Sequence, residues 1–141
     1  VKNFPGRVLF TRDTHEENYL ESREGKVLPV PHCIRGSRGW EICPELEALR
    51  KEEPVDKPTF GSTGLGEVLR AADQYGEKIG KITLVGVCTD ICVISNALLL
   101  RAFLPEAEIA VDAACCAGVT PERHQTALQA MKACQITIEN E

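Results

Sequence analysis

The stretch KITLVGVCTDICVISNALLLR, residues 81–101, decides the fold of this chain. Residues 82–87 are apolar and rich in β-branched side chains, which is typical of a buried parallel strand. The apolar residues that follow are too many for one strand, so they predict a helix. Thr89 or Asp90 can act as its N-cap, because either side chain can accept hydrogen bonds from the first amides of the helix. The stretch therefore predicts a strand that leads directly into a helix, with Cys92 in the first helical turn.

A cysteine in the first turn of a helix lies where a thiol becomes reactive. The helix dipole favours the thiolate there, and backbone amides can stabilise a developing oxyanion. We therefore interpret Cys92 as a candidate nucleophile, the alternative being an inert cysteine of the core. Cys88, Cys115, Cys116 and Cys134 are predicted to pack in the core as small hydrophobic residues.

The composition is that of a globular protein, and we predict one domain over residues 1–141. The chain carries a net charge of −5 and lacks a basic region with interleaved aromatic residues, so we expect no nucleic-acid partner. Its apolar runs are shorter than a membrane span and no signal segment is recognised, so we expect no membrane partner. Seven cysteines without a CxxC pair argue against a disulfide framework or a zinc ribbon. We expect reduced thiols and a cytoplasmic protein.

Strands and helices alternate along the chain. Strands are predicted at residues 7–12, 54–57, 82–87, 108–111 and 135–138. Helices are predicted at residues 44–52, 65–75, 90–104 and 121–133. This order predicts an α/β fold in which helices cover both faces of a mostly parallel sheet. The nearly all-apolar helix at 90–104 is predicted to be buried or to form the interface of a homo-oligomer.

The long polar loop at residues 13–38 contains side chains that can hold a divalent ion. Loops of this length inside a domain usually carry a functional site. Asp13 and His15 follow a strand directly, and His32 lies further along the loop. An Asp-x-His pair can bring a carboxylate and an imidazole to one ion, and a distant histidine can close the site. Polar loop residues without a ligand are the alternative.

Several motifs together resemble the isochorismatase-like cysteine hydrolases, most closely their nicotinamidase branch. The resemblance covers almost the whole chain and implies a three-layer α/β/α fold. The motifs that carry it are the Asp-x-His pair at 13–15, DKPTF at 56–60, GVCTDICV at 86–93, DAAC at 112–115 and TPERH at 120–124.

The resemblance assigns catalytic roles to residues in two of these motifs. It implies that Cys92 is the nucleophile and Lys57 its catalytic lysine. It also implies a cis peptide bond between Val87 and Cys88, with the amides of Cys88 and Cys92 forming the oxyanion hole. Elementary electrostatics agrees, because a lysine near a thiol favours the thiolate. An ordinary solvated lysine is the alternative for Lys57, since lysines are mostly exposed.

The resemblance also implies a zinc, manganese or iron ion, which would bind the pyridine nitrogen of nicotinamide. Asp13, His15 and His32 match its ligands. Glu24 is the best match for a fourth ligand, with a spacing to His32 that differs by one residue. The substrate is then a small-molecule amide.

Four further side chains can be interpreted from the sequence. Phe60, Tyr19 and Trp40 are candidates to line a flat aromatic substrate, with packing as the alternative for each. His124 is interpreted as a surface histidine.

The resemblance further implies a catalytic aspartate at the end of a first strand. We expect that strand and its aspartate to precede Val1, so that the chain is an N-terminally truncated member with little amidase activity. The predicted reaction is the conversion of nicotinamide and water to nicotinate and ammonia through a cysteine thioester. The alternatives are an amidase for ureido or carbamoyl substrates, which in this family typically lacks the metal, and a catalytically inactive remnant.

Overall fold

The structure, a computed structural model, describes residues 1–76 and 78–141. It falls into two units, residues 1–59 and residues 60–141. Every strand pair among the described residues is parallel, and helices connect the strands, so the predicted α/β fold is confirmed. In the part of the chain described, no helix has both the length and the apolar character needed to cross a bilayer.

The first unit contains a two-stranded parallel sheet. Strand β1 is Thr11–Asp13 and strand β2 is Val55–Lys57, with Asp13 paired to Lys57. The predicted strand at 7–12 therefore begins later and is shorter. Pro54 precedes β2 and has no amide hydrogen, so the ladder cannot continue past it.

Two short helices belong to the same unit. Helix α1 is Arg23–Val27, and the Ser22 hydroxyl caps it by accepting a hydrogen bond from the Gly25 amide at 2.9 Å. Helix α2 is Pro44–Glu47, shorter than the predicted 44–52. Single 3₁₀ turns occur at Tyr19–Glu21 and Arg38–Trp40.

A backbone bridge closes the loop between β1 and α2. The His15 amide donates to the Cys33 carbonyl at 2.9 Å, and the Arg35 amide donates to the His15 carbonyl at 2.8 Å. Cys33 has a φ of +48°, in the left-handed region, where the chain turns toward this bridge. The bridge fixes the spacing between His15 and the segment that begins at His32.

The second unit contains a three-stranded parallel sheet in the order β3–β4–β5. Its elements in chain order are α3 (Thr63–Gln74), β3 (Lys81–Val87), a π turn (Thr89–Val93), α4 (Ile94–Phe103), β4 (Glu108–Ala117), α5 (Pro121–Ala133) and β5 (Thr137–Glu139). Its core is formed by fully buried side chains of α4, β4 and α5, namely Leu100, Ile109, Val111, Leu128 and Met131.

The sheet is irregular near the end of β3. The register between β3 and β4 shifts between Leu84 and Gly86, so that Leu84 pairs with Val111 but Gly86 pairs with Cys116. Gly86 has a φ of +119°, which a side chain would disfavour. Strand β4 consequently runs beyond the predicted 108–111. This irregularity lies directly before the turn that carries Cys92.

Candidate functional site

The candidate nucleophile lies where strand β3 passes into helix α4. The peptide bond between Val87 and Cys88 is cis, at the position that the resemblance implies. The following π turn, Thr89–Val93, contains Cys92. The Cys88 carbonyl accepts hydrogen bonds from the Ile91 and Val93 amides, both at 3.1 Å. Cys92 therefore lies in a helical turn at the carboxyl end of a parallel strand, which is where the sequence predicts it.

The two candidate N-caps of this turn contact the start of helix α5 instead. Thr89 is fully buried, and its Oγ1 lies 2.8 Å from His124 Nδ1. The Asp90 side chain is almost fully buried, and its Oδ1 accepts a hydrogen bond from the Val119 amide at 3.0 Å. Arg123 Nε lies 3.3 Å from Asp90 Oδ2. Neither side chain caps its own helix, so that prediction is wrong.

The interpretation of His124 as a surface histidine is also wrong. Its imidazole is half-buried and bonded to Thr89. Gly118 permits this arrangement, because a Cβ atom there would lie 2.8 Å from the His124 amide nitrogen. In the sequence, the sign of this close packing was Gly118, two residues before the Thr-Pro pair at 120–121.

Lys57 is a buried lysine of the first unit. Its side chain is 3% exposed, so the alternative of a solvated lysine is wrong. The ammonium Nζ donates to Asp13 Oδ1 in the paired strand and to the Thr59 carbonyl at 3.3 Å. A buried ammonium needs such a partner to offset the loss of water. Strand pairing therefore brings together two residues that the sequence assigned to different roles.

Three predicted metal ligands lie together in the first unit. One ligand atom from each of His15, Glu24 and His32 lies within 4.8 Å of the other two. Glu24 Oε1 is 3.6 Å from the Nε2 atom of both histidines. Their side chains are 10%, 20% and 34% exposed, in the order His15, Glu24, His32. Helix α1, which the sequence did not predict, carries Glu24 to this position.

The donor atoms of this cluster fit a divalent ion. Two imidazole nitrogens and one carboxylate oxygen form a donor set that zinc and related ions accept. His32 Nδ1 lies 2.8 Å from the Val30 carbonyl, to which it can only donate. That contact leaves Nε2 of His32 as the nitrogen with a lone pair, facing the cluster. Asp13, which the sequence also predicts as a ligand, is not part of the cluster that the described residues form, and its carboxylate contacts Lys57.

Tyr19 packs against both histidines of the cluster. Its ring centroid lies 4.7 Å from that of His15 and 5.0 Å from that of His32, and its hydroxyl donates to the Leu28 carbonyl at 2.9 Å. Burial, and after it the Glu24 charge, raises the pKa of Tyr19. Because Tyr19 is only 2% exposed, it is a support for the histidines and cannot line a substrate.

The Trp40 side chain packs and hydrogen-bonds within the first unit. The Arg12 guanidinium lies 3.5 Å from its ring centroid, and its indole Nε1 donates to Thr14 Oγ1 at 2.8 Å. Packing therefore accounts for Trp40. Phe60, which is 46% exposed, stays a candidate for contact with substrate.

The cysteines outside the turn are less buried than predicted. Cys115 and Cys134 are exposed, so their assignment to the core is wrong. Cys115 lies in the part of β4 where the register with β3 shifts, and Cys134 follows the last residue of α5. Cys116 is half-buried, and burial raises the pKa of its thiol. The pKa of the Cys33 thiol is also raised, first by burial and then by the Asp13 charge.

The fold is shared with solved nicotinamidase structures. The crystal structure of nicotinamidase PncA from Bacillus subtilis superposes with a TM-score of 0.76 at 23% identity, covering 96% of this chain and 76% of that one. The pyrazinamidase/nicotinamidase from Streptococcus mutans UA159 gives a TM-score of 0.74 at 26% identity, covering 92% and 74%. The pyrazinamidase of Pyrococcus horikoshii in complex with zinc gives 0.68 at 26% identity, covering 91% and 72%.

The sequence comparisons agree with the structural ones. A curated relative, the uncharacterized isochorismatase family protein PncA of Bacillus subtilis strain 168, is 31% identical over 101 residues. The match includes 64% of this chain and 52% of that protein, so the chain spans about half the length of the curated relative. Residues 1–141 match the family described as Isochorismatase domain. The resemblance inferred from the motifs is confirmed, and the chain belongs to the isochorismatase family.

Proposed function

We propose that this protein is a metal-dependent amidohydrolase that converts nicotinamide and water to nicotinate and ammonia. The observation that carries the proposal is the cluster of His15, Glu24 and His32, which offers three ligand atoms to one ion. Two similar structures support it, since one is that of a pyrazinamidase/nicotinamidase and another is that of a pyrazinamidase in complex with zinc.

In the proposed reaction, the Cys92 sulfur attacks the amide carbon and forms a tetrahedral intermediate. The carbon–nitrogen bond then breaks, the leaving nitrogen takes up the proton that the thiol lost on ionising, ammonia departs, and a thioester remains. Water attacks the thioester, the carbon–sulfur bond breaks, and the acid and the thiol are released. We assign stabilisation of the oxyanion to the backbone amides of Cys88 and Cys92.

Lys57 has an electrostatic role in this proposal. The buried ammonium carries a positive charge that little water screens and that the Asp13 carboxylate offsets in part. Such a charge favours a thiolate and stabilises a negatively charged intermediate. Asp13 holds the ammonium in place through its carboxylate.

The proposed ion is zinc, manganese or iron, held by His15, Glu24 and His32. When bound, it would supply a Lewis-acid position for the pyridine nitrogen and so orient the amide. The contact of His32 with the Val30 carbonyl keeps Nε2 of His32 available as a ligand atom. Asp13 stays a predicted ligand. The alternative, an amidase for ureido or carbamoyl substrates without a metal, does not account for this donor set.

The test combines metal content with turnover. Purified protein is analysed for divalent ions by plasma mass spectrometry, and ammonia release is measured with nicotinamide and with a ureido substrate. Variants H15A and E24Q should lose the ion, together with whatever release of ammonia the wild type shows. Glu53→Gln is the matched control, because that carboxylate is 93% exposed and lies away from the cluster in the sequence. An ion-free wild-type protein, or nicotinamide turnover that survives a chelator, would overturn the proposal.

A further inference from the structure

We infer that Asn96 is a positioning residue for the nucleophile. The inference rests on the proposed role of Cys92 and adds a residue that the catalytic motifs do not contain. Asn96 lies in the first turn of α4, and its side chain is bonded directly to the backbone of Cys92.

The Asn96 side chain makes three hydrogen bonds within the second unit. Its Nδ2 atom donates to the Cys92 carbonyl at 2.8 Å and to the Phe60 carbonyl at 3.1 Å. Its Oδ1 atom accepts a hydrogen bond from the Ser62 amide at 2.9 Å. One side chain therefore connects the nucleophile residue to the segment that carries Phe60.

A buried asparagine in a helix lowers the stability of the fold unless its side chain is hydrogen-bonded. Asn96 is 5% exposed, and asparagine is a poor residue for a helix because its amide competes for backbone groups. A buried amide without partners destabilises a fold by about 1–3 kcal/mol. Here both hydrogens of Nδ2 are used, and Oδ1 has a donor. The hydrogen bonds of this side chain therefore hold the backbone groups of Cys92, Phe60 and Ser62 in place.

The segment held by Asn96 packs tightly on helix α4. A Cβ atom on Gly61 would lie 2.5 Å from Leu99 Cδ1 and 3.4 Å from the Ser95 carbonyl oxygen. The Leu99 side chain would have to move before a larger residue could stand at position 61, so the glycine lets the chain lie close to α4 there. The carbonyl groups of Cys92 and Phe60 can therefore share one donor nitrogen.

The bond to Cys92 acts where the π turn ends. The Ser95 hydroxyl donates to the Ile91 carbonyl at 2.6 Å, and Asn96 donates to the next carbonyl along the chain, that of Cys92. Fixing that carbonyl fixes the peptide plane that follows the nucleophile, and so restricts the rotation of the Cys92 backbone. Attack on a carbonyl carbon depends strongly on such orientation, since a displacement of about 1 Å can cost about a hundredfold in rate.

The test uses pairs of variants that differ only in a hydroxyl group. A threonine at position 96 can donate to the carbonyl four residues earlier, whereas a valine of the same shape cannot. We therefore compare N96T with N96V, and N96S with N96A as a smaller pair in case a β-branched residue does not fit. Ser95→Ala is the matched control, because it removes the equivalent bond to the Ile91 carbonyl and leaves Cys92 bonded.

The measurement is the rate of iodoacetamide labelling of Cys92 as a function of pH, located by tandem mass spectrometry. Thermal unfolding is measured on every variant so that only folded protein is compared. Labelling requires the thiolate, which the helix start favours when the Cys92 backbone is held in place, so it should be about tenfold slower or more in N96V than in N96T, and likewise in N96A than in N96S. S95A should label within about twofold of wild type.

The outcomes separate the two proposals. Fast labelling in wild type and equal rates within both pairs would overturn the role of Asn96 and leave Cys92 as the nucleophile. A wild-type Cys92 that reacts no faster than an unactivated thiol would overturn both. The inference would also be contradicted if S95A were labelled as slowly as N96V. A general disturbance of the turn would then explain the slower labelling.

Discussion

Replacing Gly25 with alanine is expected to weaken metal binding without touching a ligand. Gly25 follows Glu24 in helix α1, and a Cβ atom built on it would lie 2.1 Å from the Tyr19 carbonyl oxygen. The Leu20 Cα atom would lie 2.8 Å away. Both neighbours are backbone atoms, so no side chain can rotate to make room.

The size of the effect follows from that distance. The backbone of α1 or of the preceding turn must move by about 1 Å before the contact becomes an ordinary one. Metal–ligand distances are restricted to about ±0.2 Å, so a displacement of that size takes Glu24 out of bonding range. We expect zinc affinity to fall about 10–100-fold, as for other changes that misplace a ligand. Overpacking should lower the free energy of unfolding by about 1–3 kcal/mol.

The assay is a zinc titration against a chromophoric chelator, with circular dichroism to confirm that the variant is folded. Gly64→Ala is the control, because outside its chain neighbours and its own helix backbone the nearest atom to its added Cβ is Ser62 Oγ at 4.0 Å. That control should keep the zinc affinity of the wild type and raise stability by about 0.5–1 kcal/mol, since alanine is the better helix former. A folded G25A protein with zinc affinity within about twofold of wild type would refute the reasoning.

Two further predictions concern stability. Burial raises the pKa of Asp56, but the hydrogen bonds from Arg12 and Arg35 outweigh burial and hold the pKa below its ordinary value of 3.8. The ionised Asp56 side chain therefore stabilises the fold above pH 3.8. That stabilisation is lost as the pH falls through the lower pKa of the folded protein. Asp56→Asn should therefore reduce the loss of stability in urea titrations between pH 5 and about pH 2, and an unchanged pH dependence would contradict this. His124→Ala should lower the free energy of unfolding by about 1–3 kcal/mol, because it removes the partner of the buried Thr89 hydroxyl. The double variant T89V/H124A should be little worse than either single variant in urea unfolding, and strictly additive losses would count against the contact.

The fold was predictable where the hydrophobic pattern is strong. The apolar run of β3 and α4 placed both elements to within a few residues, and the Thr-Pro pair located the start of α5 at Pro121. The π turn was not predictable, because its residues, Thr89–Val93, continue directly into the apolar run of α4 with no glycine or proline to mark a change of helix type. Residues 7–10 are apolar enough for a strand, but Pro54, which precedes the paired strand β2, limits the strand pairing to Thr11–Asp13.

The candidate site was predictable in its residue types and less so in its contacts. His15, Glu24 and His32 were named from the sequence and lie together, whereas the contact of Asp13 with Lys57 depends on the register of two short strands. No local pattern reveals a register between strands that are more than forty residues apart in the chain. The partners of Thr89, Asp90 and Asn96 also lie on other elements.

The backbone bridge between His15 and the segment after His32 has a consequence for how a metal would be exchanged. In small zinc domains the ion closes the loop, and chelation unfolds the chain. Here main-chain hydrogen bonds already close it, through the His15 amide and the Cys33 carbonyl. Removal of an ion should therefore leave the ligands in place for reloading. Which metal the protein binds in the cell would then depend on the ions available throughout the life of the protein, and not only on those present when it folds.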